Sequence, residues 1–352
     1  MIILGIETSC DDTAAAVVKD GRTVLSSVTS SQDQFHKKYG GVVPEIASRK
    51  HLETINLVIQ EALEKAGHVF KEIDAIAVTQ GPGLVGSLLI GIMTAKALAY
   101  VYKKPLIAVN HLEGHIFSCL LGRKNLKPPF LSLIISGGHS DLVYVRAYGV
   151  YEMLGRTRDD AVGETYDKVA KILGLGYPGG PVIDRLARDG NTEAVKFPKA
   201  KMKDNSLDFS FSGVKTAVIN HIRNTGSKNS AGKQSREKAG SLLFKHLDKK
   251  TMLDIIASFQ KTVVETLLDN TMIAAKKMRA KTVTVCGGVS ANSYLRKKFT
   301  GAFNAEGTKL YFPEMEYCTD NAAMIACAGY YSPVRKKLKP ISPIAPLANM
   351  EL

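Results

Sequence analysis

Two histidines stand four residues apart in V-N-H-L-E-G-H-I, residues 109 to 116. If residues 110–119 are helical, His111 and His115 lie one turn apart on one face, the spacing at which two imidazoles share a metal ion. Spacing alone leaves a chance pair open. A zinc-protease reading fails on its chemistry. In H-E-x-x-H the glutamate directly follows the first histidine and acts as base, whereas here Leu112 holds that place. Glu113 comes one position later and projects roughly 200° around the helix from His111. A third ligand must come from elsewhere. Asp320 in Y-C-T-D-N-A-A-M-I-A is the best candidate, with a plain helix N-cap as its competing role. Two imidazoles and one carboxylate leave coordination positions open, which suits Fe(II) or Zn(II).

The elements that must position these residues show an internal duplication. Ile2–Ile6 reads as a short apolar strand, E-T-S-C-D-D-T as a polar turn, and A-A-A-V-V as a second strand ending at Asp20-Gly21. The same grammar returns as L-S-L-I-I (131–135), S-G-G-H-S-D and L-V-Y-V-R. Each copy is followed by an apolar strand, a glycine turn and a helix. These are D-A-I-A-V-T-Q-G-P-G before Ser87–Tyr102, and T-V-T-V-C-G-G-V-S before Ala291–Phe299. This order predicts paired lobes whose turns face one another across a cleft. One S-G-G is an ordinary tight hairpin. Several such turns in register suit phosphate, because small residues let backbone N–H groups approach and a following helix adds a positive end. Between the copies, G-E-T-Y-D-K-V-A-K-I-L-G has helical spacing, and Pro181 opens a further helix behind Gly179 and Gly180. Asp167 and Asp184 there either accept hydrogens from a ribose or amine, or simply complement helix dipoles.

At 352 residues the chain has room for two lobes. Its 45% hydrophobic and 23% charged content is that of an ordinary soluble globular protein and excludes global disorder. A net charge of +14 favours polyanionic partners, with basic stretches at Lys196–Lys203 and in a mobile loop at 223–250. Five scattered cysteines without a C-x-x-C pair read as reduced thiols. The first apolar run ends at Glu7, too short for a signal peptide. Residues 84–102 approach the length of a membrane span, but Lys96 and the opening P-G turn favour a buried helix. A cytoplasmic protein without membrane attachment is expected. Residues 333–352 read as a basic, proline-spaced tail.

The ordered set I-E-T-S-C-D-D-T, Y-G-G-V-V-P-E-I-A-S-R, G-P-G-L-V-G-S-L-L-I-G, N-H-L-E-G-H, S-G-G-H-S, Y-P-G-G-P, D-F-S-F-S-G-V-K-T, G-G-V-S-A-N and C-T-D-N resembles the TsaD family, from Ile3 to about Tyr330. The resemblance implies an α/β fold of the actin-like and Hsp70-like (ASKHA) type, with two ribonuclease-H-like lobes around a cleft. The expected division is an N-terminal lobe at 1–128 and a C-terminal lobe at 129–332, with a helical insertion at about 151–200. The implied reaction moves a threonylcarbamoyl group from threonylcarbamoyl-adenylate to N6 of the adenosine beside the anticodon, in tRNAs reading codons that begin with A. Carried over residue by residue, it makes His111, His115 and Asp320 the ligands of one divalent ion per subunit, Fe2+ or Zn2+. It also assigns Ile134, Ile135, Ser136, Gly137, Gly138, Asp167, Gly180, Asp184 and Asn292 to the adenylate or an adenine nucleotide. TsaB-like and TsaE-like partners are implied. Arg156 and Arg158 depart from the family pattern, as does the length of the 223–250 loop.

Adenine N6 is a poor nucleophile, because its lone pair is delocalised into the ring. Transfer therefore needs an activated donor and a stabilised oxyanion. The adenylate supplies the first and a Lewis-acidic metal the second, while N–H groups of Ser136–Gly138 hold the departing phosphate. Asp11 is the candidate to orient the amine or take its proton, with a hydrogen-bonding turn carboxylate as its competing role. Two rivals are a nucleotide-dependent actin-like scaffold without group transfer and a small-molecule kinase. Imidazole ligands argue against the kinase, since Mg–ATP sites prefer oxygen.

Overall fold

The computed structural model describes residues 1–200, 202, 204–229, 247–332 and 344–352. Strands β1 (Ile2–Glu7), β2 (Thr13–Lys19) and β3 (Thr23–Ser30) form an antiparallel meander, joined at Asp20 and Gly21, which both have positive φ. A short α1 (Asp33–His36) and the long α2 (Pro44–Ala66) lead to β4 (Ala75–Gly81), α3 (Val85–Tyr102), β5 (Leu106–Asn110) and α4 (His111–Ser118). The sheet order is β3-β2-β1-β4-β5, with β1, β4 and β5 parallel.

The second half repeats the plan. β6 (Phe130–Ile135), β7 (Ser140–Ala147) and β8 (Val150–Arg156) form the meander, followed by α5 (Val162–Ile172), α6 (Gly179–Leu186), α7 (Ser212–Asn229) and α8 (Lys249–Lys277). Then come β9 (Thr282–Cys286), α9 (Ser293–Ala305), β10 (Lys309–Tyr311) and α10 (Ala322–Tyr331). The order β10-β9-β6-β7-β8 is the first sheet over again. The duplication expected from the strand-turn-strand pattern is therefore present, with one addition. Each meander has a third strand, and β8 claims residues 150–156, so the start of the expected insertion at about 151 belongs to the sheet.

Both faces of both sheets are covered, which explains why the strands read as apolar runs. On β2, Ala14, Ala16 and Val18 face a core shared between the sheets, while Ala15 and Val17 face α2 and α3. The shared core holds α4 and α10. Small residues on its strands make room: a side chain at Gly5 would run into the Ala322 carbonyl at the start of α10. Although α10 lies inside the expected second lobe, it packs on β1, β2, β4 and α4.

Three further expectations change. Helix α3 is not a buried helix. It buries Ser87, Leu88, Gly91, Ile92, Ala95 and Ala99 but exposes Val85, Leu89, Met93, Tyr100 and Val101. Among the described residues it is the one helix long and apolar enough to cross a membrane. The expected loop at 223–250 narrows, because residues 223–229 continue α7 and 249–250 begin α8; residues 230–246 lie outside the described residues. Of the expected tail, residues 333–343 lie outside the described residues, while 344–352 run along the first lobe. Ile344 is buried among α2, α3 and the first sheet, the Leu347 N–H donates to the Gln80 carbonyl (2.9 Å), and the Asn110 amide donates to the Glu351 carbonyl (2.9 Å).

Candidate metal centre and nucleotide cleft

The site lies at the carboxyl ends of the strands, where open α/β sheets leave a crevice. Strand β5 ends at Asn110, whose side chain caps α4 by accepting from the Leu112 N–H (2.8 Å). The helix therefore starts at His111, and one turn later carries His115 on the same face. On the other side of the shared core, Asn321 caps α10 by accepting from the Met324 N–H (2.9 Å). The competing role for Asp320 is thus taken by its neighbour, and the Asp320 carboxylate is left to face α4. Gly114 lets the two helices meet: a Cβ there would lie 2.8 Å from Ile325 Cδ1 and 3.1 Å from Met324 Cγ.

Asp320 Oδ1 lies 3.4 Å from His111 Nε2 and 3.2 Å from His115 Nε2, with one ligand atom from each of the three residues inside a 4.8 Å span. The ring centroids are 4.7 Å apart and nearly perpendicular. His115 is fully buried; its Nε2 faces Asp320 Oδ1 but makes no well-aligned hydrogen bond, and its Nδ1 has no hydrogen-bond partner among the described residues. Leaving a buried imidazole without hydrogen bonds costs about 1–3 kcal/mol, unless something accepts its lone pair. Separations of 3.2–3.4 Å also match ligand atoms that each lie about 2.1 Å from one ion. The donor set fits a divalent metal.

The surrounding charges are strongly coupled. Burial opposes a charge on His111, but Asp320 and Glu7 outweigh it and raise its pKa well above the usual range. Burial likewise opposes the Asp320 charge, and His111 and His115 pull its pKa well below the usual carboxylate value. His139 is driven down to about 4, by burial first and then by His111 and His115, so it stays neutral. Glu113 is turned away from the ligands and accepts a hydrogen bond from the Tyr151 hydroxyl. Burial raises its pKa. The geometry supports rejecting a glutamate-assisted protease.

The S-G-G-H turn follows β6. The Ser136 N–H is already spent on the His139 carbonyl (2.9 Å), which removes it from the expected phosphate contacts. Gly137 and Gly138 differ. Their N–H groups have no partner among the described residues, and a Cβ on either would meet nothing within 4 Å. Neither has the positive φ that would require glycine, so the absence of a side chain leaves space. Gly180 is open in the same way, whereas Gly179 is a packing glycine pressed on Ala170 and Tyr166. Ile134 and Ile135 are fully buried, their side chains in separate cores.

The polar residues assigned to the nucleotide hold turns in place. Asp167 accepts from the Gly179 N–H (2.7 Å). Asp184 accepts from the Ser293 N–H (3.1 Å) and hydroxyl (3.0 Å). Asn292 caps α9 through the Leu295 N–H (2.9 Å) and donates to Gln260 Oε1 (2.8 Å). These bonds fix the glycine turn after β9 and the start of α6 around the cleft.

In the first polar turn, burial raises the Asp11 pKa. Its neighbour Asp12 goes further, to about 7, through burial and then the Asp320 and Asp11 charges. Asp12 Oδ1 is also buried without a hydrogen-bond partner among the described residues. The sequence singles out Asp11 and misses Asp12, whose signal was only its adjacency. Arg158 is a structural clamp, pairing with Asp204 and, at 2.7 Å, with Asp208, while Arg156 reaches Glu351 at 3.1 Å. Lys199 in the expected basic stretch is paired at 2.9 Å with both Glu265 and Asp269; Lys201 and Lys203 lie outside the described residues.

Two meander-plus-helix lobes, sharing a core and turning glycine loops toward one cleft, define the actin-like and Hsp70-like fold class. HypF from T. kodakarensis superposes with a TM-score of 0.61 at 14% identity, over 96% of this chain and 48% of that one. A profile of the TsaD family, described as tRNA N6-adenosine threonylcarbamoyltransferase, matches residues 23–327. Proteins of that name from Clostridium perfringens and Clostridioides difficile are 52% identical over 341 residues and 49% identical over 342. Each alignment covers 97% of this chain, and 95% and 96% of the respective relative. The chain belongs to the TsaD family of tRNA N6-adenosine threonylcarbamoyltransferases.

Proposed function

We propose that this chain transfers a threonylcarbamoyl group from threonylcarbamoyl-adenylate to N6 of the adenosine beside the anticodon, in tRNAs reading codons that begin with A. The observation that carries the reading is the convergence of His111, His115 and Asp320, in a chain whose Gly137 and Gly138 amides have no partner among the described residues. Those amides hold the phosphate of the adenylate as it departs, and the open faces of Gly137, Gly138 and Gly180 admit the nucleotide. Asp11, or Asp12 with its carboxyl poised near 7, accepts the proton lost from the adenine amine. Asp167, Asp184 and Asn292 act by holding the turns that shape the pocket. His111, His115 and Asp320 hold one Fe2+ or Zn2+, which supplies Lewis acidity toward the carbonyl oxygen when bound.

The positive surface suits a tRNA substrate, TsaB-like and TsaE-like proteins are the partners to supply, and the compartment is cytoplasmic. The test is reconstitution with unmodified tRNA, threonylcarbamoyl-adenylate and those partners, read by mass spectrometry of the nucleosides. Appearance of threonylcarbamoyladenosine is expected. Nucleotide-dependent lobe closure with no modified nucleoside would favour a scaffold instead.

A further inference from the structure

Glu7 ends β1 with a carboxylate that is 0% exposed, and no lysine or arginine among the described residues pairs with it. A carboxylate buried with no permanent cation beside it must be held by its neighbours, so this residue needs a reason. Its surroundings give one. Oε1 accepts the Ser9 N–H, while Oε2 accepts the Thr79 hydroxyl (2.7 Å) and faces His111 Nδ1 (3.0 Å). The Ser9 hydroxyl lies 3.1 Å from the same ring nitrogen. The opposite nitrogen, Nε2, is the one directed at Asp320.

We infer that Glu7 is the positioning residue of the metal centre, fixing the His111 ring so that Nδ1 keeps its proton and Nε2 offers its lone pair. The inference rests on the reading of His111, His115 and Asp320 as ligands. Two features separate it from a merely structural tie between β1 and β4. The first is direction: Ser9 and Thr79 hold the carboxylate at two points and leave it aimed at the ring edge away from the other ligands. The second is charge. Two neutral imidazoles, a dication and the Asp320 carboxylate sum to one positive charge in a buried setting, and Glu7 brings that sum to zero. A carboxylate behind a ligating histidine also makes the ring a stronger donor. The sequence hides this role, because Glu7 lies 104 positions from His111 and sits in a turn that reads as phosphate-binding.

The experiment is a zinc titration against a chromophoric chelator, with metal-free wild type, His115→Ala, Glu7→Gln and Glu7→Asp. Glu7→Gln keeps the shape and removes the charge, while Glu7→Asp keeps the charge and withdraws it by about one methylene length, 1.5 Å. Both are expected to bind zinc about ten- to a hundred-fold more weakly, with metal-free near-ultraviolet dichroism like the wild type. Nitrogen-15 shifts of His111 should show a protonated Nδ1 in the zinc-loaded wild type and a mixture of tautomers in Glu7→Gln. Zinc affinity within twofold of wild type in either folded variant overturns the inference, provided His115→Ala has lost the ion. Failure of the wild type to bind zinc would instead overturn the ligand assignment. Should both Glu7 variants fail to fold, Thr79→Val leaves the charge in place but removes a bond that orients it. A several-fold loss of affinity is then expected, and unchanged affinity with unchanged His111 shifts overturns the proposal.

Discussion

His115 is the residue on which the metal reading can be tested with least ambiguity, because it is fully buried and, among the described residues, its ring faces only the candidate ligand Asp320. His115→Ala should weaken zinc binding by more than the roughly hundred-fold upper range for a supporting residue, since one of three protein bonds is gone. Glu113→Ala should keep the ion, because that carboxylate bonds Tyr151 on another face. Atomic absorption of the two purified variants decides the matter. A second residue-scale expectation concerns Asp12. In the folded chain its proton is held up to about pH 7, against 3.8 for an ordinary aspartate. Between those values the folded state binds more protons than the unfolded one, so rising pH costs stability; above 7 the cost is constant. Melting temperatures of metal-free protein should therefore show Asp12→Asn gaining on the wild type from about pH 4 to 7 and then holding a fixed lead. A difference that does not vary with pH would mean that Asp12 ionises normally. At this scale the sequence shows what is local. The histidine pair was legible because both rings share one helix turn. Glu7 and Gly114 were not, since their roles arise only when β1, α4 and α10 are brought together.

The elements were legible where period and punctuation agreed. Strand, polar turn and strand, followed by strand, glycine and helix, located β1, β2, β4, β6, β7 and β9 together with the helices after β4 and β9. Strands β3 and β8 were missed for a physical reason: each is an outer strand with a half-exposed burial pattern, and neither gives an apolar run. Placement of α10 was also hidden. A helix apolar on all sides signals burial without saying against what, and here it lies between the two sheets. Two glycines separate positioning from architecture. Gly137 occupies open space with ordinary φ, so Gly137→Val should leave melting within about 0.5 kcal/mol of wild type while abolishing calorimetric binding of an adenine nucleotide. Gly287 has φ +89°, and a Cβ there would run into the Ile135 carbonyl. Gly287→Ala should cost about 2–3 kcal/mol in thermal denaturation. Equal effects of the two substitutions on stability would remove the case for reserved space at Gly137.

On the scale of the whole molecule, composition and charge bounded the answer, but they did not show how the lobes are held together. The two sheets share one core through α4 and α10, so the helix that carries His111 and His115 is also a structural pillar between them. Residues 344–352 add a strap along the cleft edge. It begins at buried Ile344, whose carbonyl accepts from Lys96 (2.5 Å), continues past Gly81, where a side chain would strike the Leu347 carbonyl, and accepts the Gly83 N–H at Ala348 (3.2 Å). Its last described contacts are Glu351 with Arg156 of the second lobe, and Leu352 against the shared core. The ion pair ties the strap to β8, yet its side chains are 50% and 77% exposed, so screening leaves it worth little. Burial of Ile344 is the stronger fastening. Ile344→Ala should lower stability by about 2–3 kcal/mol and speed hydrogen exchange at Gly83, whose amide relies on the strap for its acceptor. Glu351→Ala should stay within about 0.5 kcal/mol of wild type and leave that amide protected. Denaturant unfolding of both variants, followed by exchange mass spectrometry of the peptide containing Gly83, separates the two fastenings. A larger effect from Glu351→Ala would mean that charge, rather than apolar burial, holds the strap across the cleft.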